Sequence, residues 1–215
     1  MHHHLRTFFA ASALVAATLS PTAAEVGLGT DLVSRYVWRG SDLGNAASVQ
    51  PWISYSNDVV EIGAWSSWAV DDGAANENDL YVSFSAGPVG ITVTDYFLPT
   101  AAPGDFFNYS DGDAVHVIEL SAGLDLGVAS VMGALNVLGD GEDSIWLEAS
   151  VPLEMLSSGD TEVGLSVGAG NGVYTTDTDP MLVSVSLNVS KEDWFGSYIL
   201  NPDAEITFLV IGKSF

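Results

Sequence analysis

The segment MLVSVSLNVS, residues 181–190, alternates large apolar side chains with small polar ones. Successive side chains of a β-strand point to opposite faces, so this pattern predicts a strand with one apolar and one polar face. The apolar face would carry Met181, Val183, Val185, Leu187 and Val189. No segment of the mature chain competes as an amphipathic helix.

The same alternation recurs along the chain and predicts an all-β fold. We predict twelve strands, at residues 26–38, 47–56, 58–69, 79–87, 88–98, 113–124, 125–138, 143–153, 161–171, 180–190, 193–201 and 204–215. Five connections are mostly short, near 57–58, 87–88, 124–125, 157–159 and 191–193. Five others are mostly longer and acidic, at 39–46, 70–78, 99–112, 139–142 and 172–179. This alternation of turn lengths predicts a transmembrane antiparallel up-and-down β-barrel of about twelve strands.

The N-terminal residues 1–24 have the features of a cleaved signal peptide. Arg6 precedes a mostly apolar run from Thr7 to Ser20, and small residues follow up to Ala24. That run is too short for a membrane anchor, which needs about 20 apolar residues. The predicted domains are therefore a signal peptide at 1–24 and a barrel at 25–215, exported to the bacterial outer membrane.

The charge and hydropathy of the chain limit the kinds of partner and fold that it can have. The chain has 28 acidic and 5 basic residues, a net charge of −23 and no cysteine. Such acidity argues against nucleic acid, whose phosphates need Lys and Arg. It reflects either solubility or a vestibule that attracts cations. A soluble β-sandwich is the alternative fold, but the mean hydropathy of +0.28 without a long apolar run favours strands that face lipid.

Several short motifs resemble one family of bacterial outer-membrane proteins. They are Ser34 to Ser41 (SRYVWRGS), Gln50-Pro51, Gly63 to Ser67 (GAWSS), Thr94-Asp95-Tyr96 and Gly212 to Phe215 (GKSF). This set resembles the TorF-type porin family of proteobacteria, also known as a conserved protein of unknown function. The resemblance implies a barrel with an inferred porin role, and it supplies no catalytic residues.

The polar faces of the predicted strands define a candidate pore lining. With the apolar faces turned to lipid, the inward set is Asp31, Arg35, Arg39, Gln50, Trp52, Glu61, Trp65, Tyr81, Glu119, Trp146, Glu148, Ser184 and Asn188. A charge on the lipid face at mid-depth would cost about 2–4 kcal/mol, which is why the charged members are placed inside. The acids around two arginines form either a structural network or a conducting one.

Other residues are expected at the edges of the membrane. Aromatic girdles would include Tyr36, Trp38, Tyr55, Trp68 and Tyr198. Phe215, at the end of the last strand, looks like the signal read by the barrel assembly machinery. The strand with Asp95 is ambiguous, because facing Val89, Ile91 and Val93 to lipid also exposes Asp95. Either a bulge shifts its register, or those aliphatic residues point inward.

The function predicted from these features is a narrow acidic channel for small neutral or cationic solutes. Twelve strands lie between a filled barrel of eight and an open one of sixteen. The alternative is a closed structural or adhesive barrel whose acidic loops bind partners, or bridge divalent cations between lipopolysaccharides. We predict no enzyme activity, cofactor or metal site, because His116 is the only histidine after residue 24 and no serine elbow accompanies it.

Overall fold

The computed structural model describes residues 25–71, 76–99, 106–109 and 115–215, so the predicted signal peptide lies outside the described residues. The strands of the described residues are β1 Glu25–Val33, β2 Val37–Trp38, β3 Ser41–Asp42, β4 Ser48–Ser56, β5 Val60–Ala69, β6 Glu77–Ala86, β7 Val89–Phe97, β8 His116–Asp125, β9 Ser130–Leu138, β10 Ile145–Pro152, β11 Thr161–Gly172, β12 Thr178–Lys191, β13 Trp194–Asn201 and β14 Ile206–Ser214. In this part of the chain no helix is long and apolar enough to cross a membrane.

Twelve of these strands close into one barrel. β1 pairs with β4, each following strand pairs antiparallel with the next, and β14 returns to β1. β2 and β3 form a separate hairpin in the connection between β1 and β4. The predicted antiparallel up-and-down barrel of twelve strands is confirmed.

The seam between the first and last barrel strands is short. Asp31, Leu32 and Val33 lie opposite Ser214, Lys213 and Gly212. Two backbone hydrogen bonds extend the ladder at one end, from the Phe215 N–H to the Thr30 carbonyl at 2.9 Å and in the reverse direction at 3.3 Å. At the other end, the Ser34 N–H donates to the Ile211 carbonyl at 2.8 Å. The backbone of Phe215 therefore helps to close the barrel.

The two faces of the barrel wall differ as the alternation predicts. Outward positions carry exposed aliphatic side chains, among them Leu28 at 74%, Leu147 at 59% and Leu209 at 64% exposure. The intervening positions carry serine, glycine, asparagine and acidic residues that are mostly less exposed. The hydrophobic effect disfavours such an apolar exterior in water.

The first barrel strand is shorter than expected. Predicted to extend from 26 to 38, it ends at Val33, and residues 34–47 turn into the barrel. Arg35 and Arg39 therefore lie on a loop and not on a strand face. Tyr36 and Trp38 belong to the same loop, with Tyr36 only 5% exposed, so their assignment to an aromatic girdle is wrong. Tyr55, Trp68 and Tyr198 do lie exposed on the outward face.

A bulge changes the faces at the start of the segment 181–190, so that Leu182, predicted on the polar face, is exposed on the outward one. The register between β11 and β12 shifts between Gly168 and Ala169, where Gly168 lies opposite Ser184 and Ala169 opposite Leu182. The extra residue, Val183, is fully buried and packs with Trp146 and Tyr174 inside the barrel. Its predicted place on the apolar exterior is therefore wrong.

Asp95 lies on the outward face, and both explanations offered for it are wrong. The pairing of β7 with β6 and β8 has no register shift, and Ile91 and Val93 remain exposed. The carboxylate is 2.7 Å from Nδ1 of His116 and accepts a 2.8 Å hydrogen bond from the Tyr109 hydroxyl. Nε2 of His116 lies 2.6 Å from the Phe106 carbonyl oxygen. Residues 106–109 thus cover the acid and the histidine from outside.

Large inward rings lie over glycines of the neighbouring strand. Trp52 covers Gly29, where an added Cβ would come within 2.9 Å of the ring. The same arrangement pairs Tyr81 with Gly63, Trp146 with Gly168 and Phe195 with Gly212. Because each glycine lacks a side chain, the ring can lie against the wall instead of crossing the lumen.

Replacement of Gly63 by alanine tests this packing. We expect G63A to lower the free energy of unfolding by about 1–3 kcal/mol, because the new methyl group overlaps the Tyr81 ring. G164A is the matched control, since its Cβ would meet only the Val151 carbonyl oxygen at 3.4 Å. Urea unfolding in detergent micelles measures both, and equal effects of the two substitutions would contradict the packing described.

Candidate functional site

Residues 34–47, here called the plug, fold into the barrel from the end that carries the longer loops. Val37 pairs with Asp42 and Trp38 with Ser41, so Arg39 and Gly40 form the two-residue turn of a hairpin. Both turn residues have positive φ, 49° for Arg39 and 78° for Gly40. Two positive φ values are typical of a type I′ turn, whose first position favours Asn, Asp or Gly.

Arginine at that turn position is held in a conformation it rarely adopts. A left-handed conformation costs a residue with a Cβ about 1–2 kcal/mol. Strain of this kind persists where the surrounding structure fixes the residue, and it is common at functional sites. The contacts of the Arg39 side chain supply the reason for its presence.

The Arg39 guanidinium forms a bidentate ion pair with Glu119. Nη1 is 2.5 Å from Oε2 and Nη2 is 3.0 Å from Oε1, and the two side chains are 4% and 2% exposed. Glu119 lies three residues from the loop end of β8, about 10 Å along the strand. The pair therefore joins the tip of the plug to the far wall of the barrel.

Aromatic rings surround this ion pair. The guanidinium carbon of Arg39 is 4.4 Å from the ring centroid of Trp38, 5.4 Å from that of Trp146 and 5.0 Å from that of Tyr174. Tyr96 contacts Trp38 with a centroid distance of 5.3 Å. We call these four rings, Trp38, Tyr96, Trp146 and Tyr174, the cage. Rings at these distances attract a cation through their negative faces.

Hydroxyl groups of the cage complete the coordination of the acid. The Tyr96 hydroxyl donates to Oε1 of Glu119 at 3.3 Å. The Tyr174 hydroxyl accepts from Nη1 of Arg39 at 2.6 Å, and it lies within donating distance of Glu119 and of Asn136, at 3.4 and 3.3 Å. Burial raises the pKa of Tyr174 to about 12. The Glu119 carboxylate thus accepts hydrogen bonds from Arg39 and Tyr96, and the Tyr174 hydroxyl lies within reach of it.

The rest of the plug is fixed by close packing to the wall. An added Cβ at Gly40 would lie 2.6 Å from the Val183 carbonyl oxygen, so a larger residue does not fit there. The Asn201 amide donates to the Gly40 carbonyl at 3.0 Å. Val37 packs on a buried apolar group formed with Val33, Ile199, Phe208 and Val210. Arg35 stays nearer the surface, where it pairs with Asp42 at 2.7 Å.

A second pair of buried acids lies beside the plug. Glu77 and Asp79 occupy neighbouring inward positions of β6, and both are 5% exposed. Glu77 hydrogen-bonds to Asp79 and to the hydroxyl of Tyr36. The Tyr36 ring contacts Trp65 at a centroid distance of 5.4 Å. The plug therefore meets carboxyl groups on two strands, β6 and β8, which are separated by β7.

The remaining residues of the predicted lining lie on the inward face of the strands, and most of those with polar side chains hydrogen-bond to a neighbouring inward residue. Asp31 hydrogen-bonds to Ser214. The other short contacts join Gln50 to Ser67 at 3.3 Å, Tyr81 to Glu61 at 2.6 Å, Ser184 to Ser186 at 3.1 Å, and Asn188 to Ser166 and Ser197 at 3.2 and 2.7 Å. Trp52, Trp146 and Glu148 share this face, and Glu148 follows Trp146 two residues along β10.

The inward face of the strands is strongly acidic. Its acids include Asp31, Glu61, Glu77, Asp79, Glu119 and Glu148. In the described strands of the barrel both lysines, Lys191 and Lys213, are at outward positions, and the arginines are on the plug. Among the described residues, no group of three or more His, Asp or Glu is placed to hold a metal ion. The lumen therefore carries a net negative charge.

Sequence reasoning missed part of the cage. Tyr96 follows Asp95, and the unresolved register of that strand left its face unassigned. Tyr174 lies in a loop, where no periodicity indicates direction. Glu77 and Asp79 continue the alternation of Tyr81 towards the N-terminus. The predicted strand, 79–87, began after Glu77, and Asp79 at its first position was not assigned to the lining.

The fold and the comparison with known families agree at a general level. A closed antiparallel barrel of twelve strands fits the class of outer-membrane β-barrels. The family model described as "Bacterial protein of unknown function (Gcw_chp)" matches residues 16–200, and the chain belongs to this family. No curated protein matches the chain.

The raised pKa of Tyr174 predicts a pH dependence. An ordinary tyrosine ionises near pH 10, so the unfolded chain loses this proton before the folded protein does. The stability contributed by neutral Tyr174 is therefore complete below pH 10 and falls as the pH rises towards 12. We expect the gap in unfolding midpoint between wild type and Y174F to shrink over that range. A gap that stays constant from pH 9 to 11.5 would contradict the burial of this hydroxyl.

Proposed function

We propose that this protein is an outer-membrane channel for small neutral or cationic solutes, closed at its outer mouth by the plug. The resemblance of SRYVWRGS (Ser34 to Ser41) and the other short motifs to TorF-type porins supports this assignment. The carrying observation is the buried Arg39–Glu119 ion pair at the tip of an inward loop.

The apolar exterior supports a location in the outer membrane. Outward aliphatic side chains alternate with small polar inward ones on most barrel strands, as lipid on one side and water on the other require. Export would use the signal peptide at 1–24, and insertion would use the barrel assembly machinery acting on the strand that ends at Phe215. Outer-membrane lipid and lipopolysaccharide would then be the surrounding partners.

A charged plug suits a gate better than a permanent filling. Burying an ion pair costs several kcal/mol of desolvation per ion, and apolar side chains of the same volume often stabilise a fold as well or better. A barrel that only needed a filled interior would not require Arg39 in a strained turn facing Glu119. The pair can separate when water or another cation reaches Glu119, and the plug is then released from the far wall.

The acidity of the lumen sets the expected selectivity. Carboxylates on the inward face, with both arginines on the plug, concentrate cations at the mouth and repel anions. Hydroxyl and amide groups such as Ser166, Ser197 and Asn188 provide hydrogen bonds for neutral solutes.

A non-conducting structural or adhesive barrel is the second candidate. The observation that favours it is the apolar group of Val33, Val37, Ile199, Phe208 and Val210, which fills one side of the lumen behind the seam. In that case the acidic loops would bind partners or divalent cations. Neither candidate involves catalysis, in keeping with the expectation from the sequence, in which His116 is the only histidine after residue 24.

Conductance in planar lipid bilayers separates the two candidates. We expect wild type to open rarely, and R39A to open at least tenfold more often, with reversal potentials that favour cations, because the plug loses its bond to Glu119. K191A is the matched control, since it removes one positive charge from an exposed outward position and should behave as wild type.

A second variant covers the possibility that R39A fails to fold. Replacement of residues 36–43 by a short Gly-Ser linker removes the plug hairpin together with Arg39. Circular dichroism and heat-modifiable migration on gels establish folding. Silence from both folded variants would overturn the channel and leave the structural barrel.

A further inference from the structure

We infer that the cage and Glu119 form a binding site for guanidinium-bearing solutes, and that Arg39 is a built-in occupant of this site. The inference rests on the proposed channel function and names its solute class. It starts from the surroundings of one guanidinium group, which has a bidentate carboxylate partner and three ring centroids within 5.4 Å.

The chemistry of the site is specific for a planar organic cation. A carboxylate with both oxygens available matches the parallel N–H groups of a guanidinium. Trp146 and Tyr174 offer ring faces, and cations over such faces are attracted most strongly where water is excluded. A potassium ion would gain the charge attraction but neither the paired hydrogen bonds nor the stacking.

The site remains when the plug leaves. Glu119 is on β8, Tyr96 on β7 and Trp146 on β10, while Tyr174 lies in the loop between β11 and β12. Only Trp38 of the cage travels with Arg39. Departure of the plug therefore exposes a carboxylate, two hydroxyl groups and three rings to the solute that enters the lumen.

Arg39 occupies the site in a way that allows a solute to displace it. Arg39 binds from within the same chain, which gives it a high effective concentration at the site. Its positive φ of 49° stores strain that is released when the turn relaxes. A free guanidinium makes the same contacts without that strain. A solute at sufficient concentration can therefore replace Arg39, release the plug and pass through the lumen.

A purely structural role for Arg39 makes a different prediction. In that case the guanidinium only neutralises Glu119, and any small cation would serve equally once Arg39 is removed. The discriminating quantity is thus the preference of the vacated site for methylguanidinium over potassium and over urea, which has a similar planar shape without charge.

Binding to folded R39A in detergent micelles tests the inference. Methylguanidinium is titrated while tryptophan fluorescence is recorded, since Trp38 and Trp146 both face the site. We expect R39A to bind methylguanidinium at least tenfold more tightly than wild type does, and at least tenfold more tightly than R39A binds potassium or urea. R39A/E119Q should lose at least tenfold in affinity, whereas R39A/E154Q, with its change at an exposed turn residue, should match R39A.

R39Q gives a second background in case R39A does not fold, because its shorter planar amide leaves the carboxylate free. Equal affinity for methylguanidinium and potassium in either folded variant would overturn the inference. If such a variant still conducts in bilayers, the channel function stands without it. If methylguanidinium binds as expected but no variant conducts, the binding site stands and the channel function fails.

Discussion

The structure depends on one buried ion pair, that between Arg39 and Glu119. Both side chains are almost fully buried, so each charge relies on the other and on the hydroxyl groups of Tyr96 and Tyr174. Loss of one partner would leave an uncompensated charge in a site of low dielectric constant. This single requirement explains why the turn tolerates a strained arginine, why aromatic rings converge on it, and why the plug crosses the lumen.

The barrel wall supplies the room that this arrangement needs. Inward rings such as Tyr81 lie over glycines of the adjacent strand, which keeps bulky side chains against the wall. The bulge opposite Gly168 turns Val183 inward, where its carbonyl contacts Gly40. Because the backbone hydrogen bonds of the closed ladder hold the wall together, the opening proposed above takes place through the plug and not through the strands.

Periodicity predicted the wall of this protein well, because its strands have one apolar and one polar face. The number and order of the predicted strands agree with the structure. The bounds differ most for the first strand, which ends at Val33 and not at 38, and for the strand that begins at Ser130 and not at 125. The plug escaped prediction because Arg35 and Arg39 have the parity of Asp31 and were assigned with it to one strand, and nothing in Ser34 to Ser41 signals a turn before Arg39. A type I′ turn is usually recognised by Asn-Gly or Asp-Gly, which this chain replaces with Arg39-Gly40.

Contacts between segments distant in sequence account for the other differences between the predicted and the observed side-chain positions. The outward position of Asp95 is tolerable only because His116 and Tyr109 cover it, and their approach depends on how a loop folds back. Likewise Val183 leaves the exterior because one extra residue enters the ladder with β11. Alternation within a strand carries no information about either event, since both arise between segments distant in sequence.

A double-mutant cycle of Arg39 and Glu119 measures the central interaction most directly. The unfolding free energies of wild type, R39M, E119Q and R39M/E119Q are compared in detergent micelles. The account predicts that R39M loses about 3–5 kcal/mol of unfolding free energy, because the buried carboxylate of Glu119 then has no positive partner. The double variant should lose less, because it buries no charge at that position. If the two single losses simply add in the double variant, the ion pair does not hold the plug and the account is wrong.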